Sequence, residues 1–289
     1  MRVHSGTFSC SIAMPITTPE LRIEAPPELA AFRARLDSLD PKFFAGILQF
    51  LGIRDAGPAI RVILAPESSD RARQTPPWIA GFAVAAADLV VIFPARTPGY
   101  PDNSLEDVLR HEVAHVLVAR AAAGQSVPRW FNEGLAMASE GSWGLEDQTR
   151  VLYELALGPR ITLNEIDRLF LADRRGQDRA YALSGAFTRD LLLQHGSAAP
   201  GRILDRLRRG SPFDVAFSDG TGRNLSDAES EFWRRQRIWT TWVPIVTSSA
   251  TLWLLVTIIA ILAIRRRRQK DAEIRKRWDE EEPEPNDEL

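Results

Sequence analysis

The apolar positions near the start of the chain follow a helical period. Leu29, Phe32, Leu36 and Leu39 lie three to four residues apart, with arginine and aspartate between them, which is the spacing of one face of a helix. A second short helical run follows over 43–51. The Pro/Thr-rich segment before them, 15–27, is typical of an extended lead-in.

Three segments then change to the pattern of strands. Residues 60–64 are rich in β-branched side chains and lie between Gly-Pro and Pro, which predicts a strand. Residues 78–86 and 89–93 indicate two more, joined as a hairpin. Together they predict a small, mainly antiparallel sheet, although the alanine-rich run 83–87 is also compatible with a helix.

From Ser104 onward the pattern is helical. Ser104 and the acidic residues after it predict a capped helix that ends at Gly124. A second helix begins near Pro128, which suits a first turn, and ends at Gly141. At least four further helices follow, beginning near Thr162, Asp178, Arg202 and Leu225.

The C-terminal part predicts a membrane anchor. No charged residue occurs from 238 to 264, and 243–264 has the length and apolarity of a transmembrane helix. Trp239 and Trp242 precede this run and four arginines follow it, as at the two interfaces of a bilayer. The basic-then-acidic tail, 265–289, is typical of a disordered segment.

The arginines predict an orientation, with the tail in the cytoplasm and the large N-terminal domain outside. That orientation needs an export signal, and 1–16 is a weak candidate. Three alternatives stay open: a marginal signal, a start further upstream, or a tail anchor inserted the other way. We favour a single-pass protein of a bacterial inner or plasma membrane, with segments 1–26 (lead-in or weak signal), 27–238 (domain), 243–264 (transmembrane helix) and 265–289 (tail).

Composition narrows the choice of chemistry. The formal net charge of the 289 residues is −2, which gives no indication of nucleic-acid binding. The single cysteine, Cys10, excludes an intramolecular disulfide and a cysteine-rich zinc cluster.

The chemistry lies in the Ser104 helix, where His111, Glu112 and His115 form H-E-x-x-H. Residues i and i+4 share one helix face, so both imidazoles can bind one ion, which we expect to be Zn²⁺. Glu112 lies about 100° round the helix and can act as general base toward a zinc-activated water. The turn after Gly124 brings back the second helix, where Glu133 is the expected third ligand.

The alternative is two surface histidines beside an ion-pairing glutamate. Against it stands a resemblance: H-E-V-A-H followed by W-F-N-E-G-L-A is similar to the gluzincins, the thermolysin-like zinc peptidases. The Gly-x-Met-Glu-Asn motif of zinc aminopeptidases is missing. The region from about 60 to 234 is most similar to the bacterial peptidase MA-like domains, and the resemblance implies His111, His115 and Glu133 as zinc ligands and Glu112 as catalytic base.

Three other residues are candidates for roles at or near the predicted site. Tyr181 is a candidate to stabilise the oxyanion, although a core tyrosine fits equally well. His195, at a helix end, fits a capping role better than a catalytic one. Met137 stands where related enzymes often carry an aspartate, so either another group orients a ligand histidine or zinc binds less tightly.

The prediction is an α+β zincin-like domain, made of a small sheet with the motif helix and a helical lobe, plus one transmembrane helix. The predicted function is that of a membrane-anchored zinc metallopeptidase. Its expected partners are a peptide or protein substrate and the bilayer, not nucleic acid. The strand near 78–86 would hold an extended peptide by edge pairing. Two rival hypotheses are an inactive, membrane-tethered peptide-binding module and a structural membrane protein with an accidental motif.

Overall fold

The computed structural model describes residues 17–98, 101–139, 149, 151, 153–155, 158–247 and 249–281. The chain divides into two compact units, Met1–Arg234 and Arg235–Leu289. The predicted signal segment 1–16 and the predicted helix end at Gly141 lie outside the described residues.

The sheet of the first unit has four strands in the order β1-β2-β4-β3: β1 (Leu21–Glu24), β2 (Ile60–Leu64), β3 (Gly81–Val84) and β4 (Leu89–Ile92). β1 pairs with β2 and β2 with β4 in parallel, while β3 and β4 form an antiparallel hairpin. The prediction of a mainly antiparallel sheet is therefore wrong. Parallel pairs need a crossover, and helices between β1 and β2 supply one.

The helices given by the described residues up to α7 are α1 (Ala30–Asp37), α2 (Ala45–Leu51), α3 (Asp70–Gln74), α4 (Leu105–Ala121), α5 (Arg129–Ser139), α6 (Leu163–Leu169) and α7 (Arg174–His195). Four more are described after it: α8 (Ala199–Arg208), α9 (Phe213–Thr221), α10 (Leu225–Thr247) and α11 (Ser249–Glu281). The helical lobe that we expect after the motif helix is thus present in the described part of the chain.

Helix α4 packs against one face of the sheet and forms the centre of the core. Its side chains Val108, Val113 and Leu117 are fully buried together with Val62 and Val90 of the sheet. Burying a side chain of this size stabilises the fold by about 1.5–3 kcal/mol. The histidine-bearing helix is therefore among the most firmly held elements of the first unit.

The segment before β3 is held by one buried arginine. The Arg96 guanidinium donates to the backbone carbonyls of Ala72, Pro76 and Ile79 at 2.9–3.0 Å. It also donates to the Glu67 carboxylate at 2.8 Å, and its side chain is 7% exposed. Arg96 thereby fixes the chain that leads into the edge strand.

No described helix combines the length and the apolar character that crossing a membrane requires. The predicted transmembrane helix at 243–264 is therefore wrong, and so is the localisation as a single-pass membrane protein. Within α11 the uncharged stretch runs from Ser249 to Ile264, before the four arginines, and is shorter than the about 20 apolar residues that a span needs.

Part of the charged tail belongs to helix α11. The sequence predicts disorder over 265–289, whereas α11 continues as far as Glu281. Glutamate, arginine and lysine are good helix formers, so the same charges that indicate disorder are compatible with an extended helix.

Candidate metal centre

Helix α4 positions two histidines and a glutamate at the base of a cleft. The Ser104 side chain caps the helix by accepting from the backbone N–H of Asp107, as the sequence predicts. His111 is 3% and Glu112 7% exposed. Polar side chains buried to this degree need partners or a function. His111 and His115 share a partner on the neighbouring helix, α5.

Helix α5 brings Glu133 to the same place. The backbone turns back after α4 at Gly124, whose φ is 74°, a value that favours glycine. The start of α5 is held by Asp167 of α6, whose carboxylate accepts from the backbone N–H groups of Arg129 and Trp130 at 3.3 and 2.6 Å. An anionic side chain at this end also suits the helix dipole.

Helix α5 lies unusually close to α7. A β carbon at Gly134 would stand 2.1 Å from Thr188 Oγ1 and 2.6 Å from the backbone oxygen of Ser184. Only glycine fits at this position without movement of the helices. Glu133, the preceding residue, is therefore held where two helices meet without an intervening side chain.

Three ligand atoms converge between α4 and α5. The Nε2 atoms of His111 and His115 each lie 3.3 Å from Oε2 of Glu133, and ligand atoms of the three residues lie within 4.8 Å of one another. The structure thus brings together the three residues proposed from the sequence, and this buried group can hold a metal ion.

The other nitrogen of each imidazole faces an oxygen. Nδ1 of His115 lies 3.1 Å from the Asn132 side-chain oxygen, and Nδ1 of His111 lies 3.4 Å from Oδ1 of Asp102. An acceptor at Nδ1 favours the tautomer that leaves the Nε2 lone pair available for a metal. Both histidines are therefore oriented as ligands.

Asn132 and Asp102 were both missed in the sequence. Asn132 had a signal, because it stands next to Glu133 in the N-E-G segment. Asp102 had almost none, since an aspartate two residues before a helix cap is typical of a solvated loop. Arg129, also unassigned, places its Nε 3.4 Å from Oε1 of Glu133 and its guanidinium 4.6 Å from the centre of the Phe170 ring.

The electrostatics separate the two glutamates. Burial raises the pKa of Glu112 to about 7, with the charges of Asp102 and Glu133 adding to the effect and both histidines opposing it. Burial also acts to raise the pKa of Glu133, but the charge of His115 and the hydrogen bonds to both imidazoles outweigh it. They hold that pKa well below its usual range. Glu133 is therefore an anion, and Glu112 can exchange a proton near neutral pH.

The three residues and Glu112 line a cleft of about 640 Å³. One wall is the segment from Trp78 to Ala85 that contains β3, and the opposite wall includes Phe170, Gln177 and Tyr181. The Trp78 indole N–H donates to the Gln177 side-chain oxygen at 3.2 Å, so the two walls touch. The volume is in the range of sites for small molecules and short peptide segments.

Tyr181 faces the metal-binding group. Its ring centre lies 6.2 Å from that of His111 and 5.1 Å from that of Phe170. Burial, followed by the charge of Glu133, raises the pKa of the Tyr181 phenol, so its hydroxyl stays protonated and can donate a hydrogen bond. His195 lies at the end of α7 and does not line the cleft.

No protein-family model matches this chain, and no curated protein matches it either. The resemblance to gluzincins and peptidase MA-like domains stays a prediction, based on the residues from His111 to Glu133 and on the later segments of the first unit.

Proposed function

We propose that this protein is a zinc-dependent metallopeptidase of the gluzincin type that hydrolyses peptide bonds. The observation that carries the proposal is the convergence of His111 Nε2, His115 Nε2 and Glu133 Oε2 in a cleft that Glu112 also lines. Two imidazole nitrogens and one carboxylate oxygen are the donor set of a catalytic zinc site with a free fourth position.

The donor set fits Zn²⁺ for a further reason. Each histidine has an oxygen at Nδ1 and directs Nε2 toward Glu133, which matches the outer-shell arrangement of zinc-binding histidines. When bound, Zn²⁺ supplies a more acidic water and a polarised carbonyl.

The chain's own residues then handle the proton and the developing charge. Glu112 accepts a proton from the attacking water, whose oxygen forms the new bond to the carbonyl carbon. As the C–N bond breaks, Glu112 passes this proton to the leaving amine. The Tyr181 hydroxyl donates to the carbonyl oxygen while that oxygen carries negative charge.

The edge strand is the proposed support for the substrate backbone. β3 pairs with β4 on one side and is the last strand of the sheet, and its residues line the cleft. An extended peptide can therefore add to β3 by main-chain hydrogen bonds beside the metal-binding group. We propose a peptide or an unstructured protein segment as substrate.

The test compares the full chain with the Glu112→Gln variant. Both are dialysed with zinc, and metal content and cleavage of an unstructured protein are measured for each. We expect about one zinc per chain in both proteins and a loss of cleavage of about 10²–10⁴-fold in the variant. Glu28→Gln, an exposed position, is the matched control and should cleave like the wild type.

Two results would contradict the proposal. Absence of bound zinc in the wild type removes the metal site itself. Zinc binding with equal or no cleavage in wild type and Glu112→Gln indicates instead a peptide-binding module without turnover.

A further inference from the structure

Asp102 is a buried carboxylate outside every helix and strand. It lies on the loop before α4, two residues before the Ser104 cap, and is 6% exposed. Its Oδ1 finds no hydrogen-bond partner of normal geometry among the described residues. A carboxylate oxygen in that position is strongly unfavourable unless something nearby donates to it.

The group that faces this oxygen is the His111 ring. Nδ1 of His111 lies 3.4 Å from Oδ1 of Asp102, slightly beyond normal hydrogen-bond length. Nε2, on the opposite side of the ring, faces Glu133 Oε2. Asp102 therefore lies on the side of the imidazole away from the three converging ligand atoms, which places it behind a ligand and outside the ligand set.

On α5, the position where related enzymes often carry an aspartate offers no strong hydrogen-bond acceptor. Met137, one turn after Glu133, is 5% exposed, and its thioether accepts hydrogen bonds only weakly. His115 has its acceptor on α5, in Asn132, whereas the acceptor for His111 comes from the loop before α4. The two histidines thus face acceptors of different charge, an amide for His115 and a carboxylate for His111.

We propose that Asp102 is the positioning residue for His111. It accepts the Nδ1 proton, fixes the tautomer and ring orientation, and makes Nε2 a stronger metal ligand, as outer-shell carboxylates do. The inference rests on the metal site of the proposed function but needs no peptide hydrolysis. It also makes the loop before α4 part of the metal centre, in addition to α4 and α5.

The first measurement is zinc affinity, by competition with a chromophoric chelator. The full chain is compared with Asp102→Ala, Asp102→Asn and, as control, Asp37→Ala, whose side chain is about half exposed. We expect Asp102→Ala to bind zinc about 10–100-fold more weakly and Asp37→Ala to bind like the wild type. Asp102→Asn should lose less than Asp102→Ala, because its amide oxygen can still accept.

The second measurement separates positioning from general stability. In zinc-loaded protein labelled with ¹⁵N-histidine, we expect an Nδ1 proton of His111 shifted downfield by the carboxylate. That signal should move in Asp102→Asn, and it should also move or exchange away in Asp102→Ala. If Asp102→Ala does not fold, the Asn variant supplies both measurements.

Wild-type zinc affinity in the folded Ala variant, or an unchanged His111 signal in the Asn variant, would overturn the inference. The outcomes are distinct from those for the proposed function. Zinc binding that depends on Asp102 in a protein without peptide cleavage would keep this role of Asp102 and remove the peptidase. Cleavage that requires Glu112, with zinc affinity independent of Asp102, would keep the peptidase and remove this role of Asp102.

Discussion

Gly81 of the edge strand leaves no room for a side chain against Glu112 of the motif helix. A β carbon at Gly81 would stand 3.0 Å from Glu112 Cγ and 2.9 Å from Val108 Cγ1. The strand proposed to hold the substrate therefore packs on the helix at the proposed general base, with no side chain between them.

Gly81→Ala is expected to displace Glu112 while leaving the three ligands in place. The added methyl group meets Glu112 and Val108 on one side and the Val91 backbone oxygen at 3.1 Å on another. We expect a loss of about 1–3 kcal/mol in the free energy of unfolding, a fall of at least about tenfold in kcat and unchanged zinc content. Denaturant titration, peptidase kinetics and metal analysis measure the three effects.

The control for this substitution is Gly46→Ala in α2. A β carbon there meets nothing within 4 Å, and alanine is the better helix former by about 1 kcal/mol. We expect Gly46→Ala to be neutral or stabilising and fully active. A Gly81→Ala protein with wild-type kcat would show that the close approach of β3 to Glu112 has no role in catalysis.

Gly134→Ala is expected to act on the metal ligands instead. Its methyl group would collide with Thr188 Oγ1 and the Ser184 backbone oxygen, which forces α5 away from α7. Glu133 moves with α5, so both the free energy of unfolding and the zinc affinity should fall, the former by about 1–3 kcal/mol. The double variant with Thr188→Ala should recover part of both losses, and no recovery would contradict a direct collision.

The pH dependence of stability should report the burial of Glu112. Burial raises its pKa to about 7, above the value of about 4.3 in the unfolded chain. A raised folded-state pKa means that stability is fully present below pH 4 and declines as the pH rises through 7. Glu112→Gln lacks this titration.

We therefore expect Glu112→Gln to be more stable than wild type at pH 8, by up to about 3.6 kcal/mol, with the difference vanishing near pH 4. Chemical unfolding in the presence of a chelator measures both proteins at each pH. A constant difference between pH 4 and 8 would mean that Glu112 titrates normally.

Tyr181→Phe tests the proposed contact with the carbonyl oxygen. Phenylalanine keeps the ring contacts with His111 and Phe170 but removes the donor. We expect kcat to fall by about 10²–10³-fold with little change in KM, because the bond strengthens in the transition state. Unchanged kcat would assign Tyr181 to the core, the alternative that the sequence leaves open.

More of the candidate site than of the fold could be predicted from the sequence. His111 and His115 follow from helical spacing, and Glu133 follows from a second helix that turns back after Gly124. Asp102 could not be found this way, because its contact with His111 depends on the path of a loop. The outer-shell role of Asn132 likewise depends on the angle between α4 and α5.

The fold predictions failed where local pattern does not decide pairing. The composition of Ile60–Leu64 fits a strand in a parallel or an antiparallel sheet. Its pairing with Leu21–Glu24 is parallel because a crossover connects the two strands. β1 alternates apolar and charged residues, but it is only four residues long and lies inside a Pro/Thr-rich segment, so the sequence does not predict it. The uncharged run at 243–264 predicts a membrane span, but its part in α11 ends at Ile264, before four arginines, and is too short for one.

The Arg96 contacts have a consequence for any pH profile of this protein. A guanidinium stays protonated throughout the accessible range, so the carbonyls of Ala72, Pro76 and Ile79 keep their donor at every pH. These Arg96 contacts are then insensitive to acid and base, whereas Glu112, with a pKa of about 7, is not. For the peptidase proposed above, changes in rate between pH 5 and 9 should therefore not arise from loss of the Arg96 contacts that hold the segment before β3.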